Sequence, residues 1–225
     1  TKHFPQLGES EMVDMMGNPV EKFHLNPQPI SVIESWFRIM KTSDLVSLKS
    51  GTLWSIDFKG RTFIDLELWR LTNLESVQVR RATNLHWPKN NFATNNGPAL
   101  FPTGLVTLEL GYFALTLDGA KSLAMELPSS QIKELILFEL GINDESAKIL
   151  ASMLPKSSIK KLYMECNEIG DEGAKALAAV LLRSRVVLLD VEKNSQMGIE
   201  GLQALQEVNG KKNILNETVE VRVQM

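Results

Sequence analysis

Apolar residues fall in a fixed order through the second half of the chain. Leu105, Leu108 and Leu110 are followed at 27-residue intervals by Ile132, Leu135 and Leu137, then Ile159, Leu162 and Met164, then Val186, Leu189 and Val191. The last two positions of each set alternate with polar or exposed neighbours, which suits a short strand with one buried face. Each unit then changes period. Ala120, Leu123 and Leu127 recur as Ala147, Leu150 and Leu154, then as Ala174, Leu177 and Leu181. Spacings of three and four place them on one face of a helix. The second and third units are identical at 12 of their 27 positions, far above chance. The pattern predicts a strand and a helix repeated four times.

The polar residues between these runs supply the punctuation. The slot after each strand holds Phe113, Leu140, Asn167 and Asn194. An asparagine there can hydrogen-bond backbone groups as the chain leaves the strand. Asp144 and Asp171 stand just before helical runs as expected N-caps, with Thr116 or Asp118 in that role earlier. Pro128 and Pro155 stop the helices they follow. The fourth unit has one extra residue before its helix.

The order L-x-x-L-x-L-x-x-N, followed by a full helix within 27 residues, resembles the leucine-rich repeat in its ribonuclease-inhibitor-like subclass. The run from Ile169 to Leu177, with Gly170, Asp171, Glu172 and Gly173, carries the likeness most closely. The same subclass occurs in Ran GTPase-activating proteins and in NOD-type receptors. The resemblance covers 105–212, about half the chain. It implies an α/β leucine-rich repeat solenoid, with a short curved parallel sheet on the concave side and helices on the convex side. It does not specify a function, because function lives in sites placed on a fold.

Upstream the pattern continues in degraded form. Leu74, Val77 and Val79 repeat the strand spacing, and Leu53, Ile56 and Phe58 do so 21 residues earlier, giving expected strands at 53–58 and 74–79. Phe63, Leu66, Leu68 and Leu71 fit either a short convex helix or a strand. Asparagine, glycine and proline make 86–104 a long loop. Solenoid ends need capping units. The expected organisation is therefore an extended proline-bearing N-terminal arm over 1–29, a helical cap over 30–50, degenerate repeats over 51–104, four 27-residue repeats over 105–212, and a capping strand within 213–225. Val219, Val221 and Val223 alternate in that last stretch.

Composition narrows the function classes. Of the 225 residues, 44% are hydrophobic and 23% charged, which excludes a disordered chain. A net charge of −3 marks no nucleic-acid binder. No apolar run is long enough to span a bilayer. Cys166 is the single cysteine, so disulfide frameworks and multi-cysteine zinc sites are excluded. It fits a cytoplasmic, reducing compartment, or an organelle interior if a targeting segment preceded Thr1. Glu165 and Glu168 beside it favour an inert thiol. His3, His24 and His86 form no ligand pair, and no phosphate loop, nucleophile elbow or zinc-protease motif exists. No cofactor is expected, nor a metal, since nothing fixes an oxygen cage around Glu109, Glu134 and Asp190.

The candidate site is the row of residues between the buried leucines. These positions form one continuous strand face. Glu109, Ile136, Tyr163 and Asp190 fall in one column, and Gly111, Phe138, Glu165 and Glu192 in the next. Tyr112, Glu134, Glu139 and Leu188 complete the surface. An aromatic and aliphatic centre flanked by carboxylates is the pattern of a protein-binding surface. The same aromatics would also pair across the sheet for stability. The expected function is a non-enzymatic interaction module or a structural subunit of a larger assembly, with protein partners, no nucleic acid and no membrane span. The alternatives are an F-box-like substrate receptor of a ubiquitin ligase, for which 29–49 lacks the opening Leu-Pro signature, and a GTPase regulator similar to Ran GTPase-activating protein.

Overall fold

The computed structural model describes residues 22–25, 50–54, 75–80 and 104–223. Their strands form one parallel sheet in simple sequence order: β1 (Lys22–Leu25), β2 (Ser50–Trp54), β3 (Ser76–Arg80), β4 (Thr107–Gly111), β5 (Glu134–Phe138), β6 (Lys161–Tyr163), β7 (Leu188–Asp190) and β8 (Glu220–Arg222). Helices α1 (Leu117–Glu126), α2 (Asp144–Met153), α3 (Asp171–Leu181) and α4 (Ile199–Val208) alternate with the strands from β4 onward, each packing against the next. This is the expected α/β leucine-rich repeat solenoid. Strands stack about 4.8 Å apart while helices need about 8–10 Å, so the stack bends with the strand face inward.

The leucine spacing sets the register. Leu108 pairs with Leu135, Leu135 with Leu162, and Leu162 with Leu189. Leu110 pairs with Leu137. These residues are buried in one continuous core with Leu123, Leu150, Leu177 and Leu205 from the helices. Small residues Ala120, Ala147 and Ala174 are fully buried between them and let successive units approach. Ser130, Ser157 and Ser184, again 27 apart, close the helical segments. Their hydroxyls donate to the carbonyls of Leu127, Leu154 and Leu181 at 3.0, 3.0 and 2.8 Å.

The asparagines act as the sequence predicts, and they reach backward into the preceding unit. Asn167 Oδ1 accepts the amides of Leu140 and Ile142 at 2.9 and 3.1 Å. Its Nδ2 donates to the carbonyls of Leu137 and Met164 at 2.8 and 3.0 Å. Asn194 repeats this one unit later, accepting from Ile169 at 3.0 Å and donating to Met164 at 3.0 Å and Val191 at 2.9 Å. Both side chains are buried. They complete the backbone pairing where the short strands end.

The aspartates behave differently from expectation. Asp144 and Asp171 do not cap their own helices. Asn143 caps α2, its Oδ1 accepting from Ser146 at 3.1 Å, and Thr116 caps α1 through Gly119 at 3.1 Å. Asp144 instead lies in the first turn of α2 and accepts the amides of Gly170 and Gly173, at 2.7 and 2.8 Å, at the start of α3. Asp171 does the same for Gly198 and Gly201 of α4, at 2.8 and 2.7 Å. Helices α3 and α4 are thus each capped by the unit before them. Gly173 and Gly201 permit this approach: a Cβ on either would stand 2.7 Å from the aspartate oxygen. The extra residue of the fourth unit falls between Asn194 and α4, and places Ile199 where the aspartate would be. No later helix follows among the described residues for it to cap. Asp171→Ala should therefore destabilise the chain by about 1–2 kcal/mol and fray α4 rather than α3. Amide exchange checks this: faster exchange in α3 with α4 unchanged would contradict the cross-unit cap.

Two upstream readings are revised or sharpened. Strand β2 runs over Ser50–Trp54, not 53–58, and Leu53 pairs with Val79 instead of standing opposite Leu74. Ser50 to Ser76 is a 26-residue step, close to the later 27. A 21-residue step would leave too short a convex segment to match its neighbours. Ile56 and Phe58 mimic the strand spacing but lie outside the described residues. Within 1–29, Lys22–Leu25 forms β1 and pairs with β2, covering an edge that would otherwise be open. The closing strand expected in the last stretch is β8, with Val219 and Val221 buried. The helical segment expected over 30–50, the ambiguous run at 63–71 and the loop expected over 86–104 lie outside the described residues, apart from Ser50 in β2 and Gly104.

Candidate functional site: the strand face

The ladder fixes the columns of this face. Gln78, Glu109, Ile136, Tyr163, Asp190 and Arg222 stand side by side from β3 to β8. Gly111 pairs with Phe138 in the neighbouring column. Beyond Phe138 the strands are short, and Glu165 and Glu192 sit in the turns that continue the column. The amide of Glu139 still donates to the carbonyl of Glu165 at 3.3 Å, and that of Cys166 to Glu192 at 3.1 Å.

Not every predicted site residue is available there. Glu109 is only 7% exposed and Asp190 only 4%, and Leu188 is also buried. Glu109 lies between Gln78 and Ile136 in the ladder, and Asp190 between Tyr163 and Arg222, whose guanidinium stands 3.9 Å from it. These three side chains are largely covered. Ile136, Phe138, Tyr163, Glu134, Glu165 and Glu192 remain part-exposed, and Glu139 is exposed. Tyr112, at 37%, is the most exposed aromatic among the described residues, its ring centroid 5.2 Å from that of Phe138 at a tilt of 59°. The two rings therefore support each other at the edge of the face.

One feature of this rim escapes the hydrophobic pattern. Tyr112, Glu139, Cys166 and Lys193, each 27 residues apart, hold left-handed backbone with φ of 63°, 52°, 55° and 59°. None is glycine, and each conformation costs about 1 kcal/mol or more. The turn sends the chain from the strand toward the buried asparagine slot and sets these four side chains along the rim. The 27-residue recurrence was visible; the backbone sign was not, because non-glycine residues give no warning of it.

Charge is uneven. Lys161 lies 3.6 Å from Glu134. Arg222 is bonded to Glu220 at 2.7 Å and lies 3.9 Å from Asp190. Burial, then the Glu134 carboxylate, pushes the Tyr163 hydroxyl above its ordinary value. Burial also pushes Asp190 up, opposed by the Glu192 amide that donates to it at 3.2 Å. Glu165 is pushed up by burial first, then by Asp190 and Glu192, with Lys193 and Arg222 pulling the other way. Burial is also the first cause raising the Cys166 thiol, with Lys193 opposing and Glu165 and Glu139 adding to it. That direction agrees with an inert thiol.

The Glu165 shift has a stability consequence. Its carboxyl holds a proton more readily in the folded chain than in the unfolded one. Native protein then binds more protons between the two pKa values, so stability falls as pH rises through that window. Glu165→Gln should raise the melting temperature at neutral pH, and the gain should shrink as the solution is acidified until Glu165 is protonated. Melts of both proteins across pH check this. A difference that stays constant would contradict it.

A second concavity of about 430 Å³ lies where the helices begin, lined by Asn143, Asp144, Glu168, Asp171, Glu172 and Gln196, among others. Its central carboxylates are engaged by the backbone amides described above. Among the described residues, no group of three or more His, Cys, Asp or Glu is arranged to hold a metal, and no helix is long and apolar enough to cross a membrane.

A family model described as leucine rich repeat matches residues 156–178, the unit that carries β6 and the start of α3. No curated protein matches the sequence. A crystallographically solved protein from Bacteroides fragilis is 12% identical, with 92% of this chain and 74% of that chain covered. Its TM-score is 0.34, too loose a likeness to transfer a function.

Proposed function

We propose that this chain is a non-enzymatic interaction module that docks a protein partner on the strand face of its solenoid. The observation that carries this is the part-exposed apolar group of Tyr112, Ile136, Phe138 and Tyr163, set among carboxylates on a continuous sheet. Large apolar groups left on a surface mark contact sites. Aromatic anchors inside a charged surround supply most of the energy in such interfaces. The leucine-rich repeat is itself a scaffold for protein contacts. We place it in the ribonuclease-inhibitor-like subclass, on the strength of 27-residue units that each hold a full α-helix.

Affinity purification from native extract, with wild type and with Phe138→Ala/Tyr163→Ala, tests the reading. Both side chains are part-exposed, so the double variant should keep its melting temperature within a few degrees and lose bound partner by about tenfold or more. Partners retained at wild-type level by a folded double variant would move the interface off this face. A parallel preparation lacking residues 1–21, which keeps β1, distinguishes a face receptor from an assembly subunit held by its leading segment.

A further inference from the structure

We infer that the segment seated on this face is cationic, with arginine or lysine side chains against Glu139, Glu165 and Glu192 and an apolar side chain against Phe138 and Tyr163. The inference rests on the docking reading above and adds the chemistry of the partner.

The charge arrangement is the argument. Among the described residues of the face, Lys161 is engaged by Glu134, and Arg222 by Glu220 and Asp190. Lys193 stands exposed on the rim. Against it are Glu139, Glu165 and Glu192, which enter no ion pair among the described residues. Burial raises the Glu165 carboxyl above its ordinary value, Asp190 and Glu192 add to this, and Lys193 and Arg222 oppose it. These carboxylates lie next to the apolar group along the backbone: Glu139 follows Phe138 in the chain, its amide is bonded to the Glu165 carbonyl, and the Cys166 amide to that of Glu192.

A partner that covers Phe138 and Tyr163 therefore removes water from the carboxylates as well. An acidic partner would add repulsion. A neutral one would leave the carboxylates desolvated without a counter-charge, a penalty of charge burial. A cationic segment replaces the lost water and relieves the repulsion already present.

Titration of the full chain with two short synthetic peptides tests this. In one, arginine alternates with leucine; in its twin, glutamate replaces every arginine. The arginine peptide should bind and the glutamate peptide should not. Raising ionic strength from about 0.05 to about 0.5 M should weaken binding by about tenfold. Glu165→Gln/Glu192→Gln should weaken it by about fivefold while the chain stays folded. Phe138→Ala should weaken it too. Equal binding of the twin, salt-insensitive binding, or no binding of the arginine peptide would each overturn the cationic partner. The docking reading would still stand in those cases if Phe138→Ala/Tyr163→Ala abolished capture of the native partner. It would fall separately if that variant captured normally.

Discussion

Asn167→Ala should be among the most destabilising single changes in this chain, by about 3 kcal/mol or more. The side chain is 5% exposed and serves the amides of Leu140 and Ile142 and the carbonyls of Leu137, Met164 and Glu165. An alanine leaves these groups without their partner in a place water reaches poorly. Each orphaned buried group costs about 1–3 kcal/mol, and relaxation recovers part of the sum. Against a typical total of about 5–15 kcal/mol, the loss is large. Asn167→Leu separates volume from hydrogen bonding, because the same slot holds Leu140 one unit earlier. It should be nearly as damaging as the alanine. Denaturant midpoints measure both. A wild-type midpoint for the leucine variant would mean that the amide network adds little.

Leu162→Ala and Leu135→Ala should each cost about 2–5 kcal/mol by opening a cavity in the core. Both are essentially inaccessible, and each is flanked in its ladder by other buried leucines. Because each unit contacts only its neighbours, a gap at β5 or β6 weakens two interfaces at once. The two sites adjoin, so the double variant should depart from the sum of the singles. Unchanged midpoints for both singles would contradict the register of the sheet. An additive double variant would instead argue that the units respond independently.

The second half of the fold was legible because one constraint repeats. A leucine buried between stacked strands must recur each time the chain completes a turn, so Leu108, Leu135, Leu162 and Leu189 announce the register. Thr116 could be read as a cap because its partner lies three residues away. Asp144 and Asp171 could not be read correctly, since a local rule assigns an aspartate to its own helix and these reach the next. Recognising the glycines 29 and 30 residues downstream as their partners requires the stack first. The site was half legible. The columns followed from register, but the burial of Glu109, Leu188 and Asp190 depends on which particular side chains lie beside them, which alternation does not describe. The slip at β2 has a similar origin: Leu53, Ile56 and Phe58 satisfy the template locally, and only the length of a full turn selects the other register.

The single cysteine offers the most direct test of the central claim, that a partner covers the strand face. Cys166 lies on the rim, part-exposed, one residue from Glu165. Its alkylation rate in the intact wild-type chain can be measured with and without the captured partner, with no substitution in the surface itself. Docking on the strand face predicts strong slowing in the complex, to a degree set by occupancy. An unchanged rate at saturating partner would show that the strand rim stays open and that the contact lies elsewhere on the solenoid.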